Sequence, residues 1–174
     1  MELNKVYFFT STIRNWIPFL KSDFRKDIII SSLKHLSDKN CIKVYGFVVM
    51  PNHIHLIIEC LKLNGKEMPH ASFLKFTGHE CLKLIRANSY TILEKFRVKS
   101  TKKNYEFWKE DSMKIELYSP EIAIQKLDYI HNNPCQKKWM LSEDPISYDY
   151  SSFQFYETGK DRFGFLNNIS ERIF

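Results

Sequence analysis

The chain has 174 residues, 44% of them hydrophobic, and Lys+Arg outnumber Asp+Glu by 26 to 20. That length and apolar content suit a single domain with a packed core, and the formal charge of +6 permits a polyanionic partner without requiring one. No apolar run is long enough to span a membrane, and "MELNKVYFFT" lacks a signal peptide's basic segment and long apolar stretch, so the expectation is a cytoplasmic protein with no membrane role.

The elements follow in chain order. "VYFFTSTI" (6–13) is β-branched and aromatic and reads as a strand. In "SDFRKDIIISSLKHLSDKN" (22–40), Ser22 can cap a helix on which Phe24, Ile28, Leu33 and Leu36 recur at helical spacing. "IKVYGFVVM" (42–50) and "HIHLIIEC" (53–60) are strand-like, and Pro51-Asn52 between them is turn chemistry, which predicts a hairpin. "ASFLKFTGHECLKLIRAN" (71–88) is a second amphipathic helix, "RVKSTKK" (97–103) a basic connector, and "NYEFWKED" (104–111) the candidate for a fourth strand. The order β-α-β-β-α-β predicts an α+β, ferredoxin-like (RRM-like) antiparallel sheet with helices on one face. Ser119 as cap, Pro120 as first helical residue and Glu121 beside it then start a further helix over 119–133. The aromatic tail has no clear periodicity. The cysteines at 41, 60, 81 and 135 lack C-x-x-C spacing and read as free thiols.

"MPNHIHLII" (50–58) places two histidines inside an otherwise apolar strand. Alternate strand residues share a face, so His53 and His55 project side by side while Ile54 and Leu56 point the other way. Two adjacent imidazoles are a natural pair of metal ligands; the plain alternative is a pair of hydrogen-bonded, half-buried histidines. Zinc would want a third histidine or a thiolate, and Cys60 is aimed at the opposite face. Mg2+ or Mn2+ would accept an oxygen ligand and leave room for phosphate oxygens.

On the helix at 119–133, Ala123, Ile124, Leu127 and Ile130 form an apolar arc. Gln125, Lys126, Tyr129 and Asn133 fall opposite, with Tyr129 and Asn133 one above the other at i and i+4. The plain reading is a surface tyrosine and a helix-ending asparagine before Pro134. The functional reading is that Asn133 completes a metal site and Tyr129 is a nucleophile beside it. A phenol with a reference pKa of about 10 needs aiming and an electrophilic target, which a divalent ion supplies to a phosphodiester. Displacement of a 3′ oxygen would leave a 5′-phosphotyrosine and keep the strand's bond energy for rejoining.

These segments resemble the single-tyrosine HUH transposases, and among them the REP-associated tyrosine transposases, over roughly positions 5–156 in the same order. "GFVVMPNHIHLII" is similar to the family's HUH strand, and "LDYIHNNP" to its tyrosine helix, with an amide four residues after the tyrosine. "FWKEDSMKIELYS" and "PISYDYSSFQFY" resemble the flanking segments. The resemblance implies His53, His55 and Asn133 as metal ligands, Tyr129 as nucleophile and Mg2+ or Mn2+ as cofactor. It also implies single-stranded DNA with a hairpin as partner and a monomer or homodimer, in which the tyrosine helix serves its own chain or its partner's. The HUH-type sheet would carry the tyrosine on a helix C-terminal to it, in one domain over 1–174 with 157–174 as an extension. "CQKKWM" (135–140) departs from the family's small-residue turn, and His131 falls toward the apolar side and reads as structural. Arg97, Lys99, Lys102, Lys103, Lys137 and Lys138 are candidate phosphate contacts. The competing readings are a domesticated hairpin-DNA binder with weak or no catalysis and an RNA-binding ferredoxin-like module, the latter leaving the histidines unexplained.

Overall fold

The structure is a computed structural model, and it describes residues 1–101 and 103–173, with Lys102 outside the described residues. Four antiparallel strands, β1 (Val6–Thr12), β2 (Ile42–Val49), β3 (His53–Cys60) and β4 (Met113–Glu116), form one sheet in the order β2-β3-β1-β4. Helices α1 (Asp23–Asp38) and α2 (Pro69–Asn88) pack together on one face. A short α3 (Tyr90–Glu94) follows α2, and α4 (Pro120–Asn132) lies across β2 and β3 on the other face. The sheet therefore separates two cores. Phe9, Phe47, Val49, Ile54, Leu56 and Ile58 face α1 and α2. Phe8, Val48 and Ile57 face Ala123, Leu127 and Ile130 of α4.

The expected hairpin is present: the Met50 amide donates to the His53 carbonyl at 2.9 Å across Pro51-Asn52. Ser22 precedes α1 without a side-chain capping bond. The buried stripe of α1 runs Lys26, Ile29, Leu33, Leu36, and Phe24 is exposed, because it falls outside that 3.6-residue spacing.

The fourth strand differs from the expectation. Residues 104–111 make only isolated bridges, Ile13 with Trp108 and Arg97 with Tyr105, and the sheet instead takes Met113–Glu116 against β1. Phe107 and Trp108 are both buried, but by packing against α2 and Phe96 rather than by pairing in the sheet. Phe107 stacks on Phe96 at 5.5 Å, and the Trp108 indole donates to Thr77 Oγ1 at 3.0 Å.

A bulge at Tyr45 shifts β2 by one residue, since Val44 faces Ile58 and Gly46 faces Ile57. The shift keeps Ile42 and Val44 on the same face as Phe47 and Val49. It also sets Gly46 under α4. A Cβ there would lie 2.8 Å from Leu127 Cδ1 and 3.0 Å from Ile130 Cδ1, so the missing side chain is what lets α4 approach the sheet. Gly46→Ala is expected to destabilise the fold by about 1–3 kcal/mol, read from urea unfolding. Unchanged stability would mean that α4 repacks freely.

Residues after 156 are woven into the fold. The Asn167 amide donates to Val44 O at 2.9 Å, and Phe165 and Ile169 are buried. In the last helix, α6 (Ser170–Ile173), Arg172 pairs with buried Glu59 at 3.1 Å, and Glu59 also accepts from Tyr45 Oη at 2.7 Å. Helix α5 (Phe153–Thr158) lies between α4 and α6 in the chain. Among the described residues no helix is long and apolar enough to cross a membrane, and all four cysteines are free.

Candidate active site

β3 begins at His53, so the pleat places His53 and His55 on the α4 face with ring centroids 4.8 Å apart. β1 supplies the neighbours of His55. Thr10 lies opposite it in register, and Thr10 Oγ1 is 2.7 Å from His55 Nδ1. Phe8 stacks on the His55 ring at 5.4 Å. The turn supplies the partner of His53, whose Nδ1 is 2.7 Å from Asn52 Oδ1. An amide oxygen only accepts, so with this amide orientation Nδ1 of His53 carries the proton. Both rings are thus held through Nδ1, which leaves Nε2 as the nitrogen available to a further partner.

Ser119 caps α4 by accepting from the Ile122 amide at 3.3 Å, with Pro120 in the first turn. This fixes the helix phase. Ala123, Leu127 and Ile130 are buried, while Ile124, expected on that arc, is exposed. Tyr129 is 40% exposed and lies edge-on to His55 at 5.2 Å and to Phe8 at 6.0 Å. α4 packs on β2 and β3 and so brings Tyr129 beside the histidine pair.

Asn133 follows α4 in a 3-10 turn over Asn133–Cys135 and is fully buried. Its amide lies beside His53, where it favours the protonated ring, yet neither Oδ1 nor Nδ2 makes a hydrogen bond. Nε2 of His55 is likewise buried and without a partner. Buried polar atoms are nearly always satisfied, so His55 Nε2 and Asn133 Oδ1 each retain the capacity for a further partner. Two imidazoles and an amide oxygen fit Mg2+ or Mn2+. Among the described residues no group of three or more His, Cys, Asp or Glu could hold a metal.

Burial is the main cause that lowers His53 to about 4, with Lys138 adding to it and Asn133 opposing. Burial also lowers His55 to about 3, helped by His53, Lys138 and Lys126. His131, read as structural from sequence, is buried against Ser152 Oγ at 2.8 Å and lowered to about 4 by burial. All three are neutral at pH 7, the form that binds metal. Each folded pKa lies below the unfolded value of about 6.5, so on acidification the unfolded chain takes up protons first. Stability is therefore full above pH 6.5 and is lost as pH falls towards 4. At pH 5 the expected loss is on the order of 2 kcal/mol per histidine. Urea unfolding from pH 7.5 to 5 measures it, and a flat profile would contradict the burial of these rings.

The basic candidates divide. Lys138 acts on both histidines and lies over the Trp139 ring at 5.6 Å; Lys137 beside it is exposed. Arg97 is held by Glu94 at 2.6 Å, Lys103 pairs with Glu106, and Lys99 is exposed. Sequence reasoning missed Lys126 as a cation beside His55, and Trp139, which lies 5.3 Å from His53 with its indole nitrogen buried and unpartnered. Lys126 shares the Tyr129 arc and could have been found there. Trp139 lies in the segment after the helix, whose path the sequence pattern does not fix.

The fold and site define an α+β architecture: a four-stranded antiparallel sheet with a histidine pair on one face and a tyrosine helix packed against it. Neither a protein-family model nor a curated protein matches the sequence. Solved structures do match it. A structure of the REP-associated tyrosine transposase bound to a REP hairpin aligns over 97% of this chain and 88% of its own, with a TM-score of 0.62 and 16% identity. A candidate transposase from Deinococcus radiodurans R1 aligns over 75% of this chain and 92% of its own, with a TM-score of 0.41 and 16% identity. The first of these establishes a shared fold over nearly the whole chain.

Proposed function

We propose that this chain is a metal-dependent transposase-type enzyme that cleaves and rejoins single-stranded DNA near hairpins through a 5′-phosphotyrosine on Tyr129. The observation that carries the reading is the placement of a solvent-reachable tyrosine 5.2 Å from a histidine whose Nε2 is buried and unpartnered. The shared fold supports it, since the REP-associated structure holds a REP hairpin.

His53, His55 and Asn133 would hold Mg2+ or Mn2+, which when bound polarises a phosphodiester oxygen. Asn52 keeps His53 in the tautomer with Nε2 free, and Thr10 holds the His55 ring through Nδ1. Tyr129 brings its phenolic oxygen to the phosphorus and loses its proton to water. The P–O bond to the 3′ oxygen breaks, and that oxygen leaves as a 3′ hydroxyl once protonated. The new phosphotyrosine is itself a diester, so the reverse attack by a 3′ hydroxyl rejoins a strand without a nucleotide cofactor. Lys126 and Lys138 add positive charge beside the histidines, which favours the entering phosphate.

The test is to incubate the chain with Mn2+ and a hairpin-bearing strand labelled at either end. A covalent product that retains only the 3′ label, and that chelator abolishes, is expected. Tight hairpin binding without any adduct would favour a binding protein that does not cleave.

A further inference from the structure

The turn after β1 carries a feature that the cleavage chemistry does not use. Asn15 and Trp16 both lie in the left-handed region, at φ 54° and 56°. A bulky residue there is strained, and such strain persists only where the surroundings hold it. Here Asn15 Nδ2 donates to Lys95 O at 2.8 Å, and Asn52 Nδ2 donates to Trp16 O at 3.2 Å. The result is an indole 55% exposed, with Lys109 Nζ 4.4 Å from its centroid on one face. Lys109 makes no ion pair among the described residues, unlike Arg97 and Lys103. Asn52 is the same residue that accepts from His53 Nδ1, so one side chain ties the Trp16 turn to the histidine pair.

We propose that Trp16 and Lys109 form a stacking platform for one unpaired base of the DNA strand, close to the phosphate presented to His53 and His55; this rests on the strand-transfer reading above. An exposed aromatic ring takes any base on its free face, and an unpaired ammonium beside it answers the backbone charge. Because Asn52 joins the platform to the site, a stacked base would set the register of the strand against Tyr129.

The experiment uses the full chain carrying Tyr129→Phe, which leaves the strand uncut, and a hairpin with about 10 unpaired nucleotides on each side. Trp16→Ala is expected to weaken binding about 10- to 100-fold, while Trp16→Phe, which keeps a ring, stays within about threefold. Abasic sites placed singly along the flanks probe the unaltered Trp16 chain and so do not depend on a variant folding. One position is expected to reproduce the loss, and there Trp16→Ala should add nothing further. Normal binding by Trp16→Ala, or an equal loss on every abasic strand, would overturn the platform. If the parent forms its Tyr129 adduct while Trp16→Ala binds normally, the platform fails and strand transfer stands. If Trp16→Ala behaves as expected and the parent forms no adduct, strand transfer fails and the platform stands.

Discussion

Tyr129→Phe is expected to bind hairpin-bearing single strands as the parent does and to form no covalent adduct. The substitution keeps the ring that packs edge-on to Phe8 and His55. It removes one oxygen, which makes no hydrogen bond among the described residues. Stability should therefore stay within about 0.5 kcal/mol of the parent. Binding rests on the basic side chains and the strand's own contacts, so its salt dependence should also be unchanged. If the Phe variant cleaves as the parent does, Tyr129 is not the nucleophile. Tyr118 and Tyr148 would then be tested, and Tyr118 is the better placed for solvent because it is highly exposed while Tyr148 is partly buried and bonded to Val49 O.

The second large effect belongs to the proposed cation ligands. His53→Ala and His55→Ala should each reduce cleavage by more than about 100-fold, because even residues that only support a ligand cost about 10- to 100-fold. Asn133 separates coordination from packing. With two neutral imidazoles and a neutral amide, the charge of a bound cation stays largely uncompensated until the DNA phosphate arrives. Asn133→Asp keeps an oxygen of similar size and adds a negative charge, so it should bind Mn2+ more tightly without DNA and engage the scissile phosphate more weakly. Asn133→Ala should raise the Mn2+ concentration needed for cleavage. Mn2+ titrations with and without a cleavable strand measure both. Unchanged titrations for both variants would leave Asn133 a buried helix terminator and make Gln125 the next candidate ligand.

Most of the framework was legible because local chemistry and long-range pairing agree. β3 runs over the expected 53–60, α4 starts at the Ser119-Pro120 signal, and both histidines fall on one face. The fourth strand was misplaced because Phe107 and Trp108 look like strand residues, yet they bury side by side under α2. No local pattern separates that packing from a strand; only the pairing of Met113–Glu116 with β1 does. The register shift at Tyr45 and the close approach of α4 to Gly46 are also tertiary facts, seen only once β2 is paired with β3 and α4 is packed on it. At the site, the placement of His53 and His55 on one sheet face could be read from spacing. Thr10 and Asn52, which orient the rings, could not, because strand register brings Thr10 to His55 and the turn's side-chain geometry brings Asn52 to His53. Lys126 and Lys138 come to the histidines only through the packing of α4 and of the chain that follows it.

The most direct test of the account is to map the covalent product itself. The parent chain would be trapped on a hairpin-bearing strand with Mn2+, digested, and the nucleotide-bearing peptide sequenced by mass spectrometry. The expected peptide contains Leu127-Asp128-Tyr129-Ile130, with a 5′-linked nucleotide on the Tyr129 oxygen. An adduct on another residue, or a 3′-linked nucleotide on Tyr129, would contradict the account.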